Sequence, residues 1–430
     1  MGTLRAVTVD WRARVLERVD LDEQAMVQAA AALVQIPSVS GADAEHEVQA
    51  DLARLFADDG LEVDHWRLPL AELAIHPDFP GVEVRRTEAW GLVGRLPGSG
   101  DGPTLLLDGH IDVVPPGDLD PWTEAAPFSG RLDATALHGR GACDMKAGVV
   151  AARWAVRALR AAQVPLRGDV LLATVAGEED GGLGSFGLLQ RGWRADACVV
   201  PEPTGLDLVP ACAGALTFRL RIRGLATHAS RRTEGVSAVE KLGPVLAALR
   251  ALEAERNAEV DPLLRRWPIA YPIELGTVHA GDWASTVPDL LVAEGRIGVA
   301  LDEPPPAARS ALESALAEVS AADPWLRAHP LEVEWWGGQF ASGRLPEGSD
   351  LLQRVGCAHS HTAATAPDVW GAPYGSDLRL LTGLGDIPTL HYGPGDAALA
   401  HAPNESVPLA EMATTARTLA MLALDICGVS

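Results

Sequence analysis

The sequence predicts an α/β protein built on a mostly parallel sheet, with a second, half-exposed sheet inserted into it. Three observations carry this. Short apolar runs bounded by turn residues recur at 104–107 (TLLL), 170–176 (VLLATVA), 197–200 (ACVV) and 388–392 (PTLHY), separated by helical stretches such as 147–162. Strands apolar at every position are buried on both faces, as in a parallel sheet covered by helices. Between about 215 and 336 the texture changes to alternation, and the buried runs resume only after Gly337. The length, 430 residues, also exceeds what one core usually holds. The expected division is therefore 1–214 and 337–430 for the first unit and 215–336 for the insertion.

The elements follow in order. Residues 22–36 and 44–59 read as surface helices, the second placing Val48, Leu52, Leu55 and Phe56 on one face before Gly60, a suitable C′ glycine. Inside the insertion Leu216, Phe218, Leu220 and Ile222 alternate with polar neighbours, a helix pattern runs 235–256, and alternation recurs near 286–300 and 331–336. One half-exposed sheet with two helices fits. The prolines at 304–306 open the second helix, where a first turn tolerates them.

Composition narrows the partners. Acidic residues outnumber basic ones 58 to 35, giving a net charge of −23 that repels phosphate backbones and anionic lipid. Nucleic acid and membranes are not expected. No run reaches the roughly 18 apolar residues of a membrane helix. The first twenty residues break every apolar run, and Ala6 stands where a myristoylation signal wants Ser or Thr. Five widely spaced cysteines without a CxxC pair suit a reducing compartment, so a cytoplasmic protein is expected.

Chemistry collects just beyond the predicted strands. Asp108-Gly-His110-Ile-Asp112 follows the first, Gly177-Glu178-Glu179-Asp180 the second, Pro201-Glu202-Pro203 the third, and a Gly-Pro-Gly turn then His401 the fourth. Ligands of open α/β sheets sit at such strand ends. Singly, each His or carboxylate is ordinary turn or surface chemistry; jointly they point to metal. Two histidines with several carboxylates suit Zn²⁺, Co²⁺ or Mn²⁺. Because catalytic zinc takes about three protein ligands, five or six donors imply two ions sharing a carboxylate. Asp144, in Gly139-Arg-Gly-Ala-Cys-Asp144-Met-Lys-Ala-Gly148, is the natural bridge, expected at a helix start. Of Glu178 and Glu179, one would bind metal and the other take a proton from water. Asp112 would orient the His110 imidazole. Gly182-Leu-Gly184-Ser-Phe-Gly187 matches a dinucleotide fingerprint, but two carboxylates separate it from its strand. Ser185 lacks the first glycine of a nucleophile elbow, and Cys143 and Cys212 have no adjacent His.

These motifs resemble the dinuclear zinc amidohydrolases and metallopeptidases that include acetylornithine deacetylase, succinyl-diaminopimelate desuccinylase, aminoacylase and glutamate-releasing carboxypeptidases. The resemblance runs from about 30 to 425 and rests on LLLDGHIDVVP (105–115), GRGACDMKAG (139–148), GEEDGGLG (177–184), PEPT (201–204), THAS (227–230) and HAPNESV (401–407). It implies that His110 and Glu202 hold one divalent ion, Glu179 and His401 the other, with Asp144 bridging, zinc first and Co²⁺ or Mn²⁺ as alternatives. It makes Glu178 the general base and Asp112 the orienter of His110. It also implies a cis peptide bond between Asp144 and Met145. For 215–336 it implies a lid and dimerisation domain in a homodimer, with His228 reaching a neighbouring site to polarise the scissile carbonyl. Arg296 and Ser376 would lie near the substrate's carboxylate. Thr286 stands where many relatives place Asn. The implied activity is metal-dependent hydrolysis of an amide, removing an acyl group from an N-acyl amino acid or related amine. The alternative is a dipeptidase or glutamate-releasing carboxypeptidase.

Overall fold

The computed structural model describes residues 9–430; Ala6 lies outside the described residues. Its centre is a nine-stranded sheet. Val170–Val175, Leu105–His110, Ala197–Val200 and Thr389–His391 lie side by side in that order, all parallel. Antiparallel strands flank them: Trp90–Leu96 and Glu62–Arg67 on one side, Leu208–Cys212 and Gly343–Arg344 on the other. Val369–Ala372 pairs parallel with Leu208–Cys212.

The continuous apolar runs are explained by two-sided burial. Leu105 and Leu107 point into a core shared with helices Ala147–Ala161 and Leu409–Cys427. Leu106 points the other way, toward Phe186 and Leu189 of helix Leu183–Arg191. Leu171 and Leu172 divide between the same two cores. Each fully buried Leu contributes about 1.5–3 kcal/mol, so neither face can turn to water.

A second sheet, ordered Ile273–Ala280, Leu290–Val299, Gly214–Arg223, Glu332–Phe340, is antiparallel throughout. Its chain leaves the central sheet after Leu208–Cys212 and returns at Gly343–Arg344, which makes it an insertion. Leu216, Phe218, Leu220 and Ile222 bury one face under helices Ala238–Arg256 and Pro305–Ala322. The opposite face carries cross-strand ion pairs, Arg219 with Glu294 at 2.7 Å and Arg223 with Glu332 at 2.7 Å. Strand Ile273–Ala280, not expected from the sequence, is an edge exposed along most of its length, so it has no buried alternation to read. Helices Glu23–Val34 and Ala44–Asp58 match the expected amphipathic segments, and Gly60 takes φ +77 after the second.

Candidate metal centre

The carboxyl ends of the parallel strands open on one cavity of about 310 Å³, whose wall includes Asp144, Glu178, Glu179, Glu202 and His401. His110 is the last residue of its strand, and Glu202 stands two residues past Ala197–Val200. Glu178 and Glu179 follow Gly177, whose φ of +78 turns the chain across the strand end.

Asp144 departs from expectation. It lies within the turn Ala142–Lys146, ahead of helix Ala147–Ala161, with extended torsions (φ −117°, ψ 93°). Its amide donates to Glu405 Oε1 at 3.2 Å, so a glutamate rather than the helix N-terminus anchors it. The Asp144–Met145 peptide bond is cis.

The two histidines face opposite oxygens of this carboxylate. His110 Nε2 is 3.0 Å from Asp144 Oδ1, and His401 Nε2 is 3.6 Å from Asp144 Oδ2. Glu202 Oε1 lies 3.9 Å from His110 Nε2, and Glu179 Oε2 lies 2.9 Å from His401 Nε2. The donors thus form two sets sharing Asp144. His110 Nδ1 donates to the Asp112 carbonyl at 2.9 Å, which leaves Nε2 directed at the centre. Asp112 orients the ring through its backbone. Its carboxylate is 3.9 Å from that nitrogen and instead accepts from the amides of Gly177 (2.7 Å) and Glu178 (3.3 Å) and from the Ser40 hydroxyl (3.0 Å). The reason is local: two adjacent amides in a tight turn bind a carboxylate better than one imidazole N–H that already has a carbonyl.

The model for peptidase family M20/M25/M40 matches residues 106–425. The chain belongs to this family. N-formyl-4-amino-5-aminomethyl-2-methylpyrimidine deformylase of Halalkalibacterium halodurans is 26% identical over 96% of this chain and 97% of its own length. Succinyl-diaminopimelate desuccinylase of Methylobacterium nodulans is 35% identical over 43% of this chain and 48% of its own. The crystal structure of a dinuclear-metal-binding peptidase from Bacillus subtilis shares the fold, with a TM-score of 0.61 at 15% identity over 96% of this chain and all of that one. This M20 member is an amidohydrolase.

The chemistry of the M20 donor set fits divalent metal. Without a cation, burial pushes the Glu178 carboxyl well up, helped by the charge of Asp377, and burial with the charge of Asp144 does the same to Glu202. Burial opposes a charge on His110, yet its bond to Asp144 and the charges of Glu202 and Glu178 raise it well above the usual imidazole range. The charge of Glu179 lifts His401 to about 9. Crowded carboxylates that hold histidines protonated are what two dications would neutralise.

The other expected residues divide. Arg296 and Ser376 reach the cavity wall. The buried Ser376 hydroxyl is already paired with His391 Nε2 at 3.1 Å and accepts from the Leu378 amide at 3.2 Å. His228 and Thr286 form an isolated bridge on the insertion, exposed and outside the wall of this chain's cavity. Tyr374 was not anticipated. It lines the wall, and its buried hydroxyl has no hydrogen-bond partner among the described residues.

Proposed function

We propose that this M20 amidohydrolase removes a small acyl group from an amine at a two-metal centre. His110 and Glu202 would hold one ion and Glu179 and His401 the other, with Asp144 between; zinc suits these donors, and Co²⁺ or Mn²⁺ fit the same set. The observation that carries the reading is that Asp144 offers one oxygen toward each histidine. Bound divalent ions supply Lewis acidity toward a carbonyl oxygen and lower the pKa of water. Glu178 lines the cavity, and Asp112 holds its amide. It takes the proton of the attacking water and returns it to the leaving nitrogen.

His228 would assist from a second copy of the chain, with 215–336 acting as lid and dimer contact. Its Nδ1 faces the Ser230 amide at 3.2 Å and the Ser230 hydroxyl at 2.7 Å, so Nε2 is the nitrogen that would donate to a developing oxyanion. The edge strand Ile273–Ala280, with Val278 and Trp283 exposed nearby, supports pairing of copies. No helix among the described residues is long and apolar enough to cross a membrane. Five free thiols, four of them buried, suit a reducing cytoplasm.

Zinc-reconstituted protein should hold about two ions per chain and hydrolyse N-formyl, N-acetyl or N-succinyl amines in preference to dipeptides. Exhaustive chelation should abolish turnover. Undiminished activity after chelation would refute the reading, and a preference for dipeptides would favour the peptidase alternative.

A further inference from the structure

Apart from the metal-facing His401, Arg296 is the one cationic side chain in the cavity wall among the described residues, and it is already neutralised. Its guanidinium donates to Glu83 Oε1 at 2.9 Å. Arg296 belongs to the inserted sheet, whereas Glu83 lies on the loop between helix Leu70–Ala74 and strand Trp90–Leu96, so the pair joins the two units.

Glu83 is set in place independently of Arg296. Its amide donates to Asp180 Oδ2 at 3.2 Å, and the Thr217 hydroxyl donates to the same Oε1 at 2.8 Å. Gly337, at φ +66, makes room for it, since a Cβ there would stand 2.5 Å from Glu83 Cγ. Asp180 is in turn gripped by buried Arg86 at 2.8 Å, and Arg86 also holds Glu45 at 2.8 Å. The loop therefore presents a prepositioned carboxylate to the one wall cation among the described residues that could otherwise receive a substrate's carboxylate.

The charge balance agrees. Asp144, Glu178, Glu179 and Glu202 carry four negative charges when ionised, which two divalent ions would balance. Glu83 cancels Arg296, so an entering carboxylate meets no uncompensated positive charge. Much of the remaining wall is apolar or neutral: Phe340, Pro272, Pro373 and Tyr374.

We propose that Glu83 closes Arg296 to substrate carboxylates, so that the site takes N-acyl derivatives of amines lacking a carboxylate beside the scissile nitrogen rather than N-acyl amino acids. The inference rests on the amidohydrolase reading above. A matched pair tests it: N-formylbenzylamine and N-formylphenylglycine, which differ by one carboxylate. The zinc-loaded wild type should favour the first at least tenfold in kcat/KM, a result that needs no variant. Glu83→Gln keeps an acceptor for Thr217 and should shift the ratio at least tenfold toward the acid. Adding Arg296→Met should erase that shift. A wild type that prefers the acid, or a ratio unmoved by Glu83→Gln, overturns the proposal. If neither formamide is cleaved, the deformylating activity fails, and calorimetric binding of benzylamine and phenylglycine then reads charge selection alone. Tighter benzylamine binding that reverses in Glu83→Gln supports it; equal affinities overturn it.

Discussion

Arg140 and Glu405 meet at 2.6 Å in the interior, and through that pair the loops carrying Asp144 and His401, two of the proposed metal ligands, are fastened to each other. Glu405 accepts from the amides of Cys143 (3.0 Å) and Asp144 (3.2 Å), while Arg140 donates to the carbonyls of His401 (3.1 Å) and Ala402 (3.3 Å). Asp144 and His401 therefore keep their separation because one buried ion pair holds both backbones. Glu405→Ala leaves Arg140 buried without its partner, a loss of about 3–5 kcal/mol in stability. Zinc affinity should fall roughly 10- to 100-fold, as for other groups that orient metal ligands. Competition against a chelating dye measures it, and unchanged affinity in folded protein would refute the coupling.

Glu178 and Glu179 are adjacent yet should differ in phenotype. Glu178→Ala should keep both ions while turnover falls about 10²- to 10⁴-fold, the usual loss for a removed acid-base group. Glu179→Ala should lose metal, because its oxygen is 2.9 Å from His401 Nε2. Elemental analysis beside kcat separates the two, and a reversed pattern would exchange their roles.

Three of the proposed metal ligands, His110, Glu179 and Glu202, were legible as candidates because each ends or closely follows an apolar run read as a buried strand. The pairings that hold them were not. Arg140 and Glu405 are 265 residues apart, and no local pattern announces that a charge in one loop answers a charge in another. Asp112 was expected beside His110, and its carbonyl is what meets the ring; the choice between its carbonyl and its carboxylate depends on the Gly177 turn. Glu83 escaped notice because its loop has neither periodicity nor a motif, and its place opposite Arg296 exists only once the insertion has folded beside the central sheet. The insertion itself was visible as a change from continuous to alternating apolar residues, apart from the exposed edge strand.

Tyr374 lines the cavity wall, and its buried hydroxyl has no hydrogen-bond partner among the described residues. If substrate receives a bond from it, Tyr374→Phe should lower kcat/KM by roughly 2- to 10-fold, the worth of one neutral hydrogen bond, with metal content unchanged. An unaltered kcat/KM would show that substrate does not use it.

Zinc binding should strengthen as pH rises. Glu179 lifts His401 to about 9 in the metal-free protein, so near neutrality its ring is protonated and must release that proton to ligate. Below about 9 each ion taken up at this position displaces a proton, and affinity climbs with pH; above it the dependence flattens. Titrations in buffers of different ionisation enthalpy count the protons. A zinc affinity independent of pH between 7 and 9 would contradict the assignment of His401 as a ligand.

His228 lies on the insertion and has no part in the wall of its own chain's cavity. Our reading places it in the site of a partner copy, which makes the dimer obligatory for catalysis. Combining His228→Ala chains, which keep Glu178, with Glu178→Ala chains, which keep His228, decides the matter. In trans, each heterodimer owns one complete site, because the intact Glu178 of the first chain meets the intact His228 of the second. In cis, both of its sites lack one group. Random re-pairing of equal amounts makes half the dimers mixed, with one of two sites whole in each, so activity should return to about a quarter of wild type. Heterodimers verified by mass that stay as inactive as either parent would exclude the arrangement in trans.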